Sequence, residues 1–167
     1  MSDRPYATTE DRILQLVRDD AGLADRVLRL LVGEPCTDAV VGPDRAVAVV
    51  LPHLVGRENE ALVVVALDCR RRVVDVTVIT VGCDGCTIVD PQQLYRWALT
   101  RHRPSASIIL AHNHPSGDTT PSAADRRATH KVAAAGRVLG IPLADHVVVT
   151  DSGEWASMAE LGLLMPS

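Results

Sequence analysis

The chain is predicted to be an α/β sandwich built around a mixed sheet, because apolar runs of strand length alternate with stretches of helical periodicity. Residues 61–67 and 107–111 are almost entirely apolar, the pattern of strands covered on both faces. Asp90-Pro91 and Ser122-Ala-Ala-Asp125 are helix-start signals placed between such runs.

Taken in order, residues 8–33 read as helical, with Ile13, Leu16 and Val17 on one stripe and Val27, Leu30 and Leu31 on another. Gly22 divides them into two short helices, and Gly33-Glu34-Pro35 ends the second. Pro43-Asp44 opens a helix carrying Val47, Val50, Leu51 and Leu54 at helical spacing, with Pro52 a candidate kink and Gly56 its stop. Strand 61–67 turns through Asp68-Cys69-Arg70-Arg71-Arg72 into strand 73–81, a hairpin. The helix from Asp90-Pro91 turns Leu94, Trp97 and Ala98 inward. Strand 107–111 runs straight into His112-Asn113-His114-Pro115. A helix from Ser122 follows, with Ala128, Val132, Ala135, Val138 and Leu139 as its apolar side and Gly140 and Pro142 as its stop. Residues 145–150 are the fourth strand, 151–153 a turn, and the end a short strand or helix. The division expected is a helical segment over 1–56 and the main domain over 57–167.

Composition narrows the function classes. Hydrophobic residues are 47% of 167, enough for one core, and no apolar run reaches the roughly 18–20 residues of a membrane span. The first twelve residues hold no apolar run, so no signal peptide is read and cytoplasmic residence is expected. Net charge is −4, and Lys131 is the sole lysine. Arg70 to Arg72 form the one tight basic cluster, read as a solvated turn. Aromatic residues are Tyr6, Tyr95, Trp97 and Trp155, too few for a base-stacking platform, so nucleic acid is admitted as a partner but not favoured. Cys36, Cys69, Cys83 and Cys86 are read as reduced thiols. The single Cys83–Cys86 pair lacks the second ligand pair of a structural zinc site.

The informative stretch is A-H-N-H-P-S-G-D-T-T-P-S-A-A-D, residues 111–125. Histidines two apart at the end of a strand point to the same side, so two imidazoles can reach one ion. Asp125, in the first turn of the next helix, can supply an oxygen ligand. Three protein ligands leave a fourth position for water, the arrangement of a catalytic zinc. Ser122 and Asp125 also read as a capping box that needs no metal, but capping does not account for His-x-His immediately upstream.

His-x-His, seven residues, then Ser-x-x-Asp resembles the JAMM (MPN+, or JAB) metalloprotease signature position by position. The fuller run Ile109-Leu110-Ala111-His112-Asn113-His114-Pro115-Ser116-Gly117-Asp118, with Pro121, Ser122 and Asp125, is similar to the RadC branch. The resemblance extends over 57–165, through Glu60 with Leu67-Asp68, Gly82, Val89, Pro91, Gly140 to Leu143, and Asp145-His146. It implies an MPN (JAB)-like mixed sheet flanked by helices, in a cytidine-deaminase-like layout, with a short N-terminal helical segment. It implies one Zn²⁺ per chain on His112, His114 and Asp125, Ser122 helping to stabilise the tetrahedral intermediate, and Glu60 as the acid/base. Glu58 is a neighbour in a poorer register, and Asp75 a more distant third candidate. Asn113 stands where many JAMM enzymes have Ser or Thr, Asp90 replaces a common histidine, and Cys83 to Cys86 occupy a segment that is usually polar. Residues 8–56 show no Gly-x-Gly hairpin of the helix-hairpin-helix type. Asp145 and His146 read as a buried structural pair, with a second metal site as the alternative.

The function implied first is a JAMM-type zinc peptidase or isopeptidase cleaving an amide in a peptide or protein tail, ubiquitin-like tails among them. The alternative is a RadC-like accessory protein of DNA repair or recombination with a non-peptidase role. A metal-free interaction module fits less well, because all five motif positions are filled. No membrane partner is expected, and the oligomeric state is left open, a homodimer included.

Overall fold

The structure, a computed structural model, describes residues 39–81, 90–100 and 105–164, all within one compact unit, Cys36–Ser167. The helices expected over 8–33, Cys36 and the Cys83–Cys86 pair lie outside the described residues. In chain order the elements are α1 (Pro43–Leu54), β1 (Ala61–Leu67), β2 (Val73–Val81), α2 (Pro91–Leu99), β3 (Ser107–Asn113), α3 (Ala123–Leu139), β4 (Leu143–Val149) and β5 (Trp155–Ser157). The strands form one mixed sheet in the order β2-β1-β3-β4-β5, with β3 and β4 parallel and the other pairs antiparallel. The parallel pair is possible because α3 carries the chain back to the starting edge between them.

β1 is wholly buried because both of its faces are covered. On one face Val63, Val65, Ile109, Ala111, Val147 and Val149 pack under α1, which contributes Ala46, Val47, Val50 and Leu54. On the other, Leu62, Val64, Ile108 and Leu110 meet Leu94, Tyr95 and Ala98 of α2 and Val132 and Ala133 of α3. Alternation in β3 therefore sends Ile109, Ala111 and Asn113 to the α1 side. Ile108, Leu110 and His112 point to the α3 side.

Local signals set the ends. Asp68 closes the β1–β2 hairpin by accepting the N–H groups of Arg70 and Arg72 at 2.8 and 2.9 Å, and it pairs with the Arg72 guanidinium at 2.7 Å. Those backbone and side-chain bonds from Arg72 hold its pKa at about 2. Asp90 caps α2 by accepting the Gln92 N–H, with Pro91 at the first helical position. α3 starts in a complete capping box between Ser122 and Asp125 and stops at Gly140, whose φ of 72° is left-handed.

The apolar side of α3 differs from the stripe expected. Thr129, Val132, Ala133 and Gly136 are buried, whereas Val138 is 87% exposed and Leu139 also faces outward. The helix is rotated so that Gly136 meets α2: the Tyr95 hydroxyl donates to the Val132 carbonyl at 3.1 Å across the space a side chain at Gly136 would fill. Burial pushes the Tyr95 phenol up to about 12. No helix among the described residues is long and apolar enough to cross a membrane.

Candidate metal centre

The end of β3 and the first turn of α3 converge at one point. His112 leaves β3 on the α3 side, and His114 follows on the same side just past the strand. Asp125 stands at the third helical position of α3, where the capping box fixes its carboxylate: Oδ2 accepts the Ser122 N–H at 2.7 Å while Ser122 Oγ accepts the Asp125 N–H at 3.1 Å. One ligating atom from each of His112, His114 and Asp125 lies within 4.8 Å of the others. The two Nε2 atoms are 3.0 Å apart, and the Asp125 oxygens stand 3.4 Å from His112 Nε2 and 3.5 Å from His114 Nε2.

That donor set fits zinc. Bonds of about 2.0–2.1 Å in a tetrahedron require ligand atoms about 3.3–3.4 Å apart, close to the spacing found. The His114 ring is also turned correctly. Its Nδ1 lies 2.6 Å from the Asp118 carbonyl oxygen, which can only accept, so Nδ1 carries a proton and Nε2 is the nitrogen turned to the site. His112 is 2% exposed, whereas the His114 and Asp125 side chains are 10% and 17% exposed, so the site opens to solvent on the side of those two groups.

Charge is strongly coupled here. Burial alone raises the Asp125 pKa, but hydrogen bonding and attraction from His112 and His114 outweigh it and hold the carboxyl far below the usual carboxylate range. His114 is pushed up, first by Asp125, against its burial, and then by the Asp118 carbonyl and the Asp125 and Glu60 carboxylates. His146, fully enclosed, is pushed well down by burial and then by its neighbour His112.

A family model described as the RadC-like JAB domain matches residues 40–163. The chain belongs to that family. The RadC-like chain is similar to UPF0758 protein STH371 of Symbiobacterium thermophilum, at 39% identity over 113 residues, 68% of this chain and 47% of the relative. A UPF0758 protein of Methanosarcina acetivorans is 32% identical over 139 residues, covering 83% and 59%. The protein tlr1707 of Thermosynechococcus vestitus is 34% identical over 139 residues, covering 83% and 54%. The chain thus spans about half the length of the curated relatives it matches.

In this RadC-like domain Glu60 is half-buried immediately before β1, whose Leu62 pairs with His112, and its carboxylate acts electrostatically on His114. Glu58 is exposed. Asp75 pairs with Ala66 near the opposite end of β1, four residues and about 13 Å along the strand from Leu62. Ser122 is exposed beside Asp125.

Asp145 and His146 are both buried and are joined through the His146 N–H, but their side chains do not meet. As consecutive residues of one strand they leave opposite faces. Asp145 accepts from Ser157 Oγ at 2.7 Å and from the N–H groups of His146 and Ala159 at 2.7 and 3.0 Å, tying β4 to the turn after β5. His146 instead faces the metal centre: its Nε2 is 2.9 Å from His112 Nδ1 and its Nδ1 is 2.6 Å from Thr129 Oγ1. Thr129 was not singled out from the sequence. Its signal was present in the helical spacing, since it lies four residues after Asp125 on the same face of α3.

Proposed function

We propose that this RadC-like protein is a zinc-dependent hydrolase of JAMM type that cleaves an amide bond in a peptide or protein tail. His112, His114 and Asp125 hold one zinc per chain, and Glu60 acts as general acid/base. The observation that carries the reading is the convergence of two imidazole nitrogens and a carboxylate within 4.8 Å at the open end of β3. Three donors of this kind leave a coordination position for water or substrate. Zinc bound there would supply Lewis acidity and lower the pKa of a coordinated water towards about 7.

The remaining work falls to the chain's own groups. Glu60, on the His114 side, accepts the proton of the attacking water and returns it to the leaving amine, a role worth about 10²–10⁴-fold in rate. Its position is supported by Asn113, which holds the backbone on both sides of it. Ser122 Oγ accepts the Asp125 N–H, a bond that does not use the hydroxyl proton. That proton can be donated to the developing oxyanion, where one such donor is worth roughly 2.7–4 kcal/mol.

The test is elemental analysis of the purified chain, together with an assay against proteins extended by ubiquitin-like tails. One zinc per chain is expected, with cleavage abolished by chelation and restored by zinc. A chain that takes up no metal even after zinc reconstitution sinks the reading.

A further inference from the structure

To bind a metal His112 has the same need as His114, a proton on Nδ1 and a lone pair on Nε2, yet among the described residues no carbonyl reaches its Nδ1. What reaches it is His146 Nε2, at 2.9 Å. Two imidazole nitrogens at that distance share one proton, and which ring owns it decides whether His112 Nε2 can bind a metal.

We propose that Thr129 and His146 are positioning residues for the metal ligand His112: a relay running from the backbone of α3 through both side chains holds His112 with its proton on Nδ1. The direction follows from counting protons. Thr129 Oγ1 lies 2.6 Å from the Asp125 carbonyl oxygen and 2.6 Å from His146 Nδ1. The carbonyl can only accept, so a contact that short takes the single hydroxyl proton. Met158 Sδ, at 3.4 Å, is a weaker acceptor for the same proton. In either case Oγ1 can only accept from His146, so His146 Nδ1 carries a proton. Enclosed at 2% exposure between a hydroxyl and an imidazole, His146 is neutral and its Nε2 is bare. It therefore accepts from His112 Nδ1–H, which leaves Nε2 as the ring nitrogen that faces His114 and Asp125 and is available to a metal. The opposite direction would leave two oxygens 2.6 Å apart with no proton between them.

The relay begins on the residue where the site ends. Asp125 anchors it through its backbone carbonyl, while its carboxylate stands 3.4 Å from His112 Nε2. One turn of α3 thus supplies a ligand and orients another. Partners of metal-bound histidines commonly change affinity by 10–100-fold when removed.

The inference rests on the proposed zinc site for its consequence, but not for its geometry, so the two are tested separately. In the metal-free wild-type chain, long-range ¹H–¹⁵N correlation spectra of the histidine rings read the tautomers directly. His146 is expected with its proton on Nδ1 and a bare Nε2. A proton on His146 Nε2 overturns the relay whether or not zinc binds. For the consequence, Thr129→Val removes the hydroxyl at nearly constant volume, and Thr129→Ser keeps it. Competition with a chromophoric chelator should show zinc binding weakened about 10–100-fold in Thr129→Val and restored to within a few-fold of wild type in Thr129→Ser. Equal affinity in Thr129→Val and wild type overturns the proposal. Failure of the wild type itself to bind zinc overturns the metal reading, and the ring spectra still decide the relay.

Discussion

Asn113 Oδ1 accepts the Ala61 N–H at 2.8 Å, just past the Leu62–His112 pair that ends the β1–β3 ladder. Its Nδ2 donates to the carbonyls of Arg57 and Asn59, both at 3.3 Å, so one side chain grips the backbone before and after Glu60. Asn113 is 1% exposed and lies between the two histidines, but it points away from them to the α1 side of the sheet. Asn113→Ala leaves the buried Ala61 N–H without this acceptor, at a cost of about 1–3 kcal/mol. It should lower turnover far more than zinc affinity, because the histidines keep their own supports. Urea unfolding, chelator competition and a hydrolysis assay on the same variant separate the three effects. A variant that loses zinc and activity in parallel would show that Asn113 supports the histidines rather than Glu60.

Glu60→Gln should keep the fold and about one zinc per chain while losing at least 10²-fold in turnover, since the amide cannot accept the proton. Glu58→Gln is the matched control: its carboxylate is exposed and should be dispensable. Near-wild-type hydrolysis by Glu60→Gln would end its assignment as acid/base. Loss of zinc would instead make Glu60 a ligand.

The three groups that meet in the centre were legible in the sequence, because His-x-His and Ser-x-x-Asp state their geometry locally: period two in a strand and the first turn of a helix. The strands of the sheet were legible for a similar reason, as runs such as 61–67 have no polar residue to place on an open face. What surrounds the ligands was not. That Asp145 and His146 serve opposite faces follows from alternation, but which face meets the site depends on β4 lying parallel beside β3, with His146 opposite Leu110. The rotation of α3 was misread because Val138 and Leu139 look like core residues, while the true contact is made by Gly136, which has no side chain to announce it.

That contact gives a stability prediction with a reversed sign. Gly→Ala in a helix interior ordinarily gains up to about 1 kcal/mol. At Gly136 the added Cβ would lie 2.5 Å from the Ile141 carbonyl oxygen and closer still to the Tyr95 hydroxyl. The backbone carbonyl cannot swing aside, so overpacking wins, and Gly136→Ala should lose about 1–3 kcal/mol in chemical unfolding. Tyr95→Phe in the same background removes only one of the two clashes and should recover part of the loss. An unchanged or raised stability for Gly136→Ala would mean that α2 and α3 are not so closely approached.

His114 should make zinc binding weaken as pH falls. The ring binds metal only without a proton on Nε2, and Asp125 first, then the Asp118 carbonyl and Glu60, raise its pKa above 6.5. Below the raised value the apparent affinity should fall by up to tenfold per pH unit for the one proton displaced. The fall therefore begins above pH 6.5. Asp125, held far below its ordinary range, stays ionised throughout and releases no proton. The same shifts act on the metal-free fold. The raised His114 contributes stability that is complete below about pH 6.5 and lost as pH rises through its folded value. The depressed Asp125 contributes stability present above about pH 3.9 and lost as pH falls through its folded value. His146, pushed down, costs stability as pH falls below 6.5, because the unfolded chain takes a proton that the buried ring refuses. Zinc should thus add more stability at about pH 8 than at about pH 6, where the metal must displace a proton from a folded partner. Chelator competition across that interval should give a midpoint above 6.5. A midpoint at or below 6.5 would show that Asp125 does not hold a proton on His114 in the metal-free chain.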